Sequence, residues 1–198
     1  MRVLLVLAHP DPASFNAAIA ARARDALARL GHEVVFHNLY AEGFEPLLFQ
    51  AEFPVGAELP PHIAEHCRDL ASAEGIVIVH PNWWGMPPAI MKGWIDRVFR
   101  PGLAYEFLEG DGGEGVPRGL LPARAVVVFN TGNTPPAREQ EVFGDPLERL
   151  WRDCIFGLCG APRFYRRLFG VVCLSDQAQR RAWLDEAADL LAAVFPAE

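Results

Sequence analysis

Three short stretches carry the residue types from which a binding site could be built. The first, "AHPDPASFN" (8–16), follows the apolar run "RVLLVL" and precedes an alanine-rich stretch. A strand that ends there and opens into a helix at Ser14 leaves backbone N–H groups facing outward, with His9 and Asn16 beside them, and such a cluster attracts an anion such as a phosphate. The second, "HPNWWGMPPAIMKGW" (80–94), sets two adjacent tryptophans and an asparagine at a strand end. Successive side chains on extended backbone point opposite ways, so one tryptophan is expected in the core and the other against a ligand. A flat apolar wall with polar neighbours suits a planar aromatic ring. The third, "FNTGNTPP" (129–136), offers Asn130, Thr131, Asn133 and Thr134 as uncharged hydrogen-bonding groups around Gly132, which permits close backbone approach. Neither a dinucleotide glycine fingerprint nor a Walker-type phosphate loop is present.

The elements that must position these loops can be read from periodicity. Apolar, strand-like runs cover 2–8, 33–39, 75–81 and 123–130, with a fifth expected at 168–174; helical patterns lie between them at 14–31, 60–74, 87–99, 138–158 and 175–195. Gly144 and Pro146 should delay the fourth helix to a start near Asp145. Strand alternating with helix, with strands apolar on both sides, predicts a parallel sheet covered on both faces. Five such units predict an open, three-layer, doubly wound α/β sheet of order 2-1-3-4-5 in a single domain over 1–198. In that order the ends of strands one, three and four meet at one crevice, which is where the three stretches fall. The Gly-rich segment "EFLEGDGGEGVPRG" (106–119) is expected to be a flap or binding loop.

Bulk properties narrow the classes. The 198 residues are 51% hydrophobic and 22% charged, and 18 Lys+Arg against 25 Asp+Glu give a net charge of −7, so nucleic acid is excluded as an expected partner. No apolar stretch reaches the ~20 residues needed to span a bilayer, and "MRVLLVLAHPDP" lacks a signal peptide's apolar length and cleavage site, so a soluble cytoplasmic protein is expected. Cys67, Cys154, Cys159 and Cys173 show no CxxC spacing and are expected as reduced, buried thiols. His62, His66 and Cys67 lie close on one helix without a convincing further ligand, and no metal is expected there. "RFYRRLF" (163–169) is expected to be a strand edge or a dimer contact.

Taken together, "AHPDPASFN", the long run "WGMPPAIMKGWIDRVFRPGLAY" (84–105) and "TGN" (131–133) resemble the NAD(P)H:quinone oxidoreductase family, flavin enzymes on a flavodoxin-like fold that include modulator-of-drug-activity proteins and ancillary proteins of potassium efflux systems. The resemblance implies that His9, Ser14, Phe15 and Asn16 hold the phosphate and ribityl part of a flavin. It implies that Pro81, Asn82, Trp83, Trp84 and Gly85 line its ring system, with Asn130, Thr131, Gly132 and Asn133 on the polar edge. It further implies a homodimer in which Tyr105, and with it Phe107, leans over the ring from the partner subunit. FAD is the expected cofactor with FMN as the alternative, NAD(P)H the co-substrate, and a quinone the acceptor in a ping-pong reaction. A regulatory flavin subunit of a transport system and an azo- or nitroreductase are the alternatives. The family's tyrosine and histidine after this loop have no counterpart between Thr134 and Phe164, and Arg138 is the expected source of the compensating charge.

Overall fold

The computed structural model describes residues 1–108, 110–111 and 114–197. Strands β1 (Arg2–Leu7), β2 (Glu33–Asn38), β3 (Gly75–Pro81), β6 (Ala125–Gly132) and β7 (Phe164–Gly170) form one parallel sheet of order β2-β1-β3-β6-β7. With the short antiparallel pair β4 (Tyr105–Glu106) and β5 (Arg118–Gly119) set aside, this is the expected 2-1-3-4-5 order. Alternation explains why β1 and β3 read as unbroken apolar runs. Val3, Leu5 and Leu7 face one layer with Ile19, Leu27, Trp183 and Leu191, while Leu4 and Val6 face the other with Ile63, Leu70, Trp94 and Trp151.

The first layer consists of α1 (Phe15–Arg29) and α6 (Gln177–Val194), each opened by a side-chain cap: Ser14 Oγ accepts from Ala17 N, and Asp176 from Gln179 N. The second contains α2 (Pro61–Ser72), α3 (Ala89–Val98), and α5 (Pro146–Arg149) continuing into π-helical turns over Leu150–Gly157. Asp145 caps α5, as expected from Pro146, but a further helix, α4 (Pro136–Phe143), forms upstream and ends at Gly144 in the left-handed conformation (φ 68°). The fifth sheet strand lies at 164–170, not at 168–174. Among the described residues it pairs with β6 alone, as an edge strand, and its run is interrupted by Arg166, buried beneath the site, and Arg167, so it has no wholly apolar run. The strand-edge reading of 163–169 holds. In the Gly-rich segment β4 and β5 pin the base, while Glu109, Gly112 and Gly113 lie outside the described residues.

The long connection 39–60 is fastened to α3 by buried charge. Arg97 (1% exposed) donates from Nε to Glu52 Oε2 at 3.0 Å, from Nη2 to Oε1 of the same carboxylate, and from Nη1 to the Glu45 carbonyl at 2.6 Å; Arg100 donates to the Glu52 carbonyl. Gly93 of α3 lies so close to the connection that a Cβ there would stand 2.2 Å from the Pro46 carbonyl oxygen, so only glycine fits.

Candidate functional site

The ends of β1, β3 and β6 are adjacent and bring the three stretches together. His80 pairs with Asn130 and Pro81 with Thr131 in register, Ala8 N donates to Val79 O at 2.9 Å, and Asn82 N to Thr131 O at 2.7 Å. The first and third loops are joined by a buried bond from Asn16 Nδ2 to Thr131 Oγ1 at 2.8 Å. The Asn16 Oδ1 atom is buried without a partner in the protein, a position that a ligand donor would satisfy. His9 and Trp83 face each other with ring centroids 6.1 Å apart, so the second loop closes on the first.

The tryptophan pair departs from the expected one-in, one-out arrangement. Trp83 and Met86 exchange both backbone hydrogen bonds at 3.0 Å, making a tight turn whose central residues, Trp84 (φ 58°) and Gly85 (φ 72°), are both left-handed. Asn82 Oδ1 holds the turn by accepting from Gly85 N at 2.9 Å. Trp84 is thereby presented with its whole side chain in solvent, and Trp83 is 41% exposed. A non-glycine residue in this region is strained, and such strain concentrates at ligand sites. The Trp84 turn forms one side of a cleft of about 430 Å³, whose other lining residues are Asn82, Gly132, Asn133, Thr134, Glu139, Phe143 and Pro146.

Beneath this cleft lies a polar network that sequence reasoning did not find. His80, fully buried, donates from Nδ1 to the Pro81 carbonyl (2.8 Å), which leaves Nε2 to accept from the Trp151 indole (2.9 Å) and from Asn130 Nδ2 (3.0 Å). Asn130 Oδ1 in turn accepts from Arg166 Nε at 2.7 Å, and Arg166 Nη1 reaches Asp145 (2.7 Å) and Glu148 (3.3 Å). Asn130, expected on a ligand's polar edge, is therefore spent entirely inside the protein, and Thr131 is likewise buried with its hydroxyl accepting from Asn16; Gly132 and Asn133 line the cleft, with Asn133 Oδ1 accepting from Cys173 N. Burial, with the Arg166 charge adding to it, pushes the His80 imidazole down to about 4 against the opposing bond to Pro81. The unfolded chain therefore takes up a proton near pH 6.5 that the folded chain refuses until about pH 4, so stability falls as pH drops through that window. The loss is expected to reach about 3 kcal/mol. Urea unfolding at pH 7 and pH 4.5 checks this: in His80→Gln the decline should be shallower than in the wild type, and equal slopes would refute it.

Other expected residues lie as follows. Ser14 caps α1. The Phe15 ring packs edge-on against Phe169 (6.2 Å) and tilted against Trp183 (5.8 Å), which leaves its backbone at the helix N-terminus. A second hollow of about 310 Å³ opens outside that N-terminus, lined by Ser14, Phe15, Gln177, Arg180 and Leu184 among others, with the Arg180 guanidinium 6.0 Å from the Phe15 ring. Arg180 was invisible as a site residue because only the packing of α6 on α1 brings it there. Tyr105, paired edge-on with Phe107 at 5.8 Å, lines a different hollow of about 520 Å³ with Phe99, Pro117 and Cys154, away from the Trp84 cleft of its own chain. Arg138 does not line the cleft. It is exposed, over the Phe143 ring at 5.8 Å, and the α4 side chains that line the cleft are Glu139 and Phe143.

The histidine cluster of α2 also differs from expectation. Cys67 is buried toward the Val98 carbonyl, with its thiol pushed up to about 11 by burial, and His62 packs on Phe44; Cys159 is buried as expected, whereas Cys154 and Cys173, on the outer side of their turns, are exposed. His66 instead meets His37 and Glu42, whose ligand atoms and its own lie within 4.8 Å of one another. The Trp94 indole donates to His66 Nδ1 (3.1 Å), so in the neutral ring Nε2 carries the proton and gives it to Glu42 (3.2 Å). His37 donates to Glu42 (3.2 Å) and Asp69 (2.9 Å). Burial opposes its charging, but bonds to Glu42 and then Asp69 outweigh burial and raise its pKa. For Glu42 burial is likewise outweighed, by His37 and then His66, and its carboxyl falls to about 2. The trio is thus a hydrogen-bonded seam that fastens the β2 end of the sheet to α2.

Comparison with known proteins gives one consistent result. A family model described as a flavodoxin-like fold matches residues 1–191. The chain is 32% identical over 192 residues to an uncharacterised NAD(P)H oxidoreductase of Haemophilus influenzae, covering 95% of this chain and 93% of that protein. It is 33% identical over 172 residues to a ribosyldihydronicotinamide dehydrogenase (quinone) of Homo sapiens, covering 76% of this chain and 72% of that protein. An NAD(P)H:quinone oxidoreductase structure from Methanothermobacter marburgensis aligns with a TM-score of 0.79 at 24% identity over 96% of this chain and 94% of that chain, a likeness of fold.

Proposed function

The chain belongs to the flavodoxin-like fold family, and from that premise we propose that it is a flavin-dependent NAD(P)H dehydrogenase that passes two electrons to a quinone. The observation that carries this reading is the meeting of the three loops at the ends of β1, β3 and β6: the first is joined to the third by the Asn16–Thr131 bond, and the second and third line the Trp84 cleft. The donor set fits a flavin: a capped helix N-terminus for phosphate, an unpartnered buried Asn16 oxygen, a raised aromatic turn and an uncharged polar rim. The N–H groups at Ser14–Asn16 and the His9 ring would hold the phosphate and ribityl end. Pro81, Asn82, Trp83, Trp84 and Gly85 would line the ring, with Thr131, Gly132 and Asn133 at its polar edge. When bound, the flavin supplies the hydride chemistry, accepting from a nicotinamide and passing two electrons on to a quinone.

The protein's own contribution is placement and exclusion of water. Trp84, Phe143 and Pro146 form an apolar slot that two planar substrates can occupy in turn, as a ping-pong reaction requires. Backbone donors at Thr131 to Asn133 would serve the ring edge on which negative charge develops, in the manner of an anion hole. The slot is open on the side where Trp83, Trp84 and Met86 are exposed, and a second copy could close it with Tyr105 and Phe107, which lie apart from the cleft of their own chain. That arrangement supports a homodimer. Among the described residues no helix is long and apolar enough to cross a membrane, and we take the cytoplasm as the site of action.

FAD is preferred to FMN because the hollow outside Ser14, with Phe15, Arg180 and Leu184 on its walls, has room, apolar surface and positive charge for a second phosphate and an adenine. The test is direct. The purified protein should show flavin absorption bands, and heat release should yield FAD by mass. Arg180→Ala should weaken FAD about tenfold and leave FMN unchanged, a difference on the scale of one charge-assisted hydrogen bond. A colourless protein that binds neither flavin on titration would end the reading.

A further inference from the structure

α4 turns one charged side chain toward the cleft. Glu139 is 5% exposed, lines the cleft beside Asn82, Thr134 and Phe143, and among the described residues has no hydrogen-bond or ion-pair partner for its carboxylate. Neither Arg138 nor Arg166 pairs with it: Arg138 stands over Phe143, and Arg166 bonds Asn130, Asp145 and Glu148 through Nε and Nη1 while its Nη2 is buried without a partner among the described residues. A side chain this buried that meets no protein donor has its carboxylate oxygens open only to the cleft, and an apolar residue of similar size would serve the fold at least as well at that position. The group is therefore intelligible as half of an interaction that a ligand completes.

We infer that Glu139 is the ligand-recognising acceptor of the cleft, its carboxylate taking an N–H donor from a planar heterocycle. This rests on the flavin reading above, which supplies two sources of the same chemistry: the imide N–H of a flavin pyrimidine ring and the carboxamide N–H of a nicotinamide. The two side-chain amides at the cleft leave this role open, since Asn82 and Asn133 each have their side-chain oxygen engaged by a backbone N–H.

The test uses three proteins, wild type, Glu139→Gln and Glu139→Leu, and two probes. FAD is titrated into flavin-stripped protein, and 1-methylnicotinamide, a cation bearing the carboxamide, into the protein as purified, followed by tryptophan fluorescence. Glu139→Leu should bind one of the probes about tenfold more weakly, and Glu139→Gln, which retains an acceptor oxygen, should lose less. Weakened FAD identifies the pyrimidine edge as the donor; weakened 1-methylnicotinamide identifies the carboxamide. In the same samples ligand-free Glu139→Leu should melt above the wild type, because the unpartnered carboxylate is gone; a purely structural Glu139 would give the reverse. Unchanged affinity for both probes, or a lower melting point, overturns the inference. If the wild type takes up no flavin at all the flavin reading falls, while a Glu139-dependent affinity for 1-methylnicotinamide would still sustain the acceptor role.

Discussion

Replacing Arg97 with methionine should lower the stability of the fold by about 3 to 5 kcal/mol, the usual penalty for stranding the other half of a buried ion pair. Glu52 is 3% exposed and takes two of the Arg97 donors, so without them its carboxylate remains in the interior with no compensating charge. The Glu45 carbonyl loses its donor as well, and the 39–60 connection loses its main attachment to α3. Such a loss is a large share of a typical domain's stability. The pair itself need not be favourable, because both charges had to be desolvated to form it. Arg97→Met combined with Glu52→Leu should recover most of the deficit, and urea unfolding of the single and double variants measures this. If the double variant is no better than Arg97→Met alone, the cost comes from lost packing, and the electrostatic account is wrong.

Arg166→Met should cost about 3 kcal/mol for the same reason, and here the loss reaches the site. The Arg166 fork bonds Asn130 at the end of β6 and Asp145 at the start of α5, so it ties the strand beneath the cleft to the segment that carries Phe143 and Pro146. Asp145 holds a left-handed backbone (φ 44°) that the ion pair helps to fix. Without it the cleft wall has one fewer restraint, and flavin affinity should fall together with stability. Arg166→Lys keeps the charge but cannot bridge Asn130 and Asp145 in one plane, and should fall between wild type and Arg166→Met in both measurements. Loss of stability with flavin affinity intact would show that the wall is held by other contacts.

The sheet was legible in the sequence wherever strands are buried on both sides. β1, β3 and β6 are continuous apolar runs because each has a helix layer above and below, and their adjacency follows from the doubly wound order. β7 was displaced by four residues because an edge strand carries arginines that a search for apolar runs passes over. α4 was missed for a different reason: its apolar residues, Val142 and Phe143, are 64% and 52% exposed, whereas its buried residue is Glu139. The helix phase therefore pointed the wrong way, and Arg138 was chosen one position from the side chain that faces the cleft. The loops themselves were found, since glycine, asparagine and tryptophan at strand ends are local signals. The support under them, His80 with Trp151 and Arg166, joins residues 71 and 86 positions apart and exists only through β3, β6 and β7 packing.

The free edge of β7 limits how copies of this chain can come together. Arg167 on that strand pairs with Glu186 of α6, and Arg163 donates to the Arg124 carbonyl beside it. A second sheet could dock strand to strand there only by stripping water from these groups and breaking the strap to α6, which protects the chain from fibril-like stacking. At the opposite margin, the salt bridge of Glu33 on β2 to Arg2 guards the other end of the sheet in the same way. Two copies would then meet through their loop faces, where the exposed aromatic side chains are, and not by extending one sheet into the next. Assembly and the completion of each other's reaction slots would be a single event, so dilution to monomers should remove turnover before it removes structure.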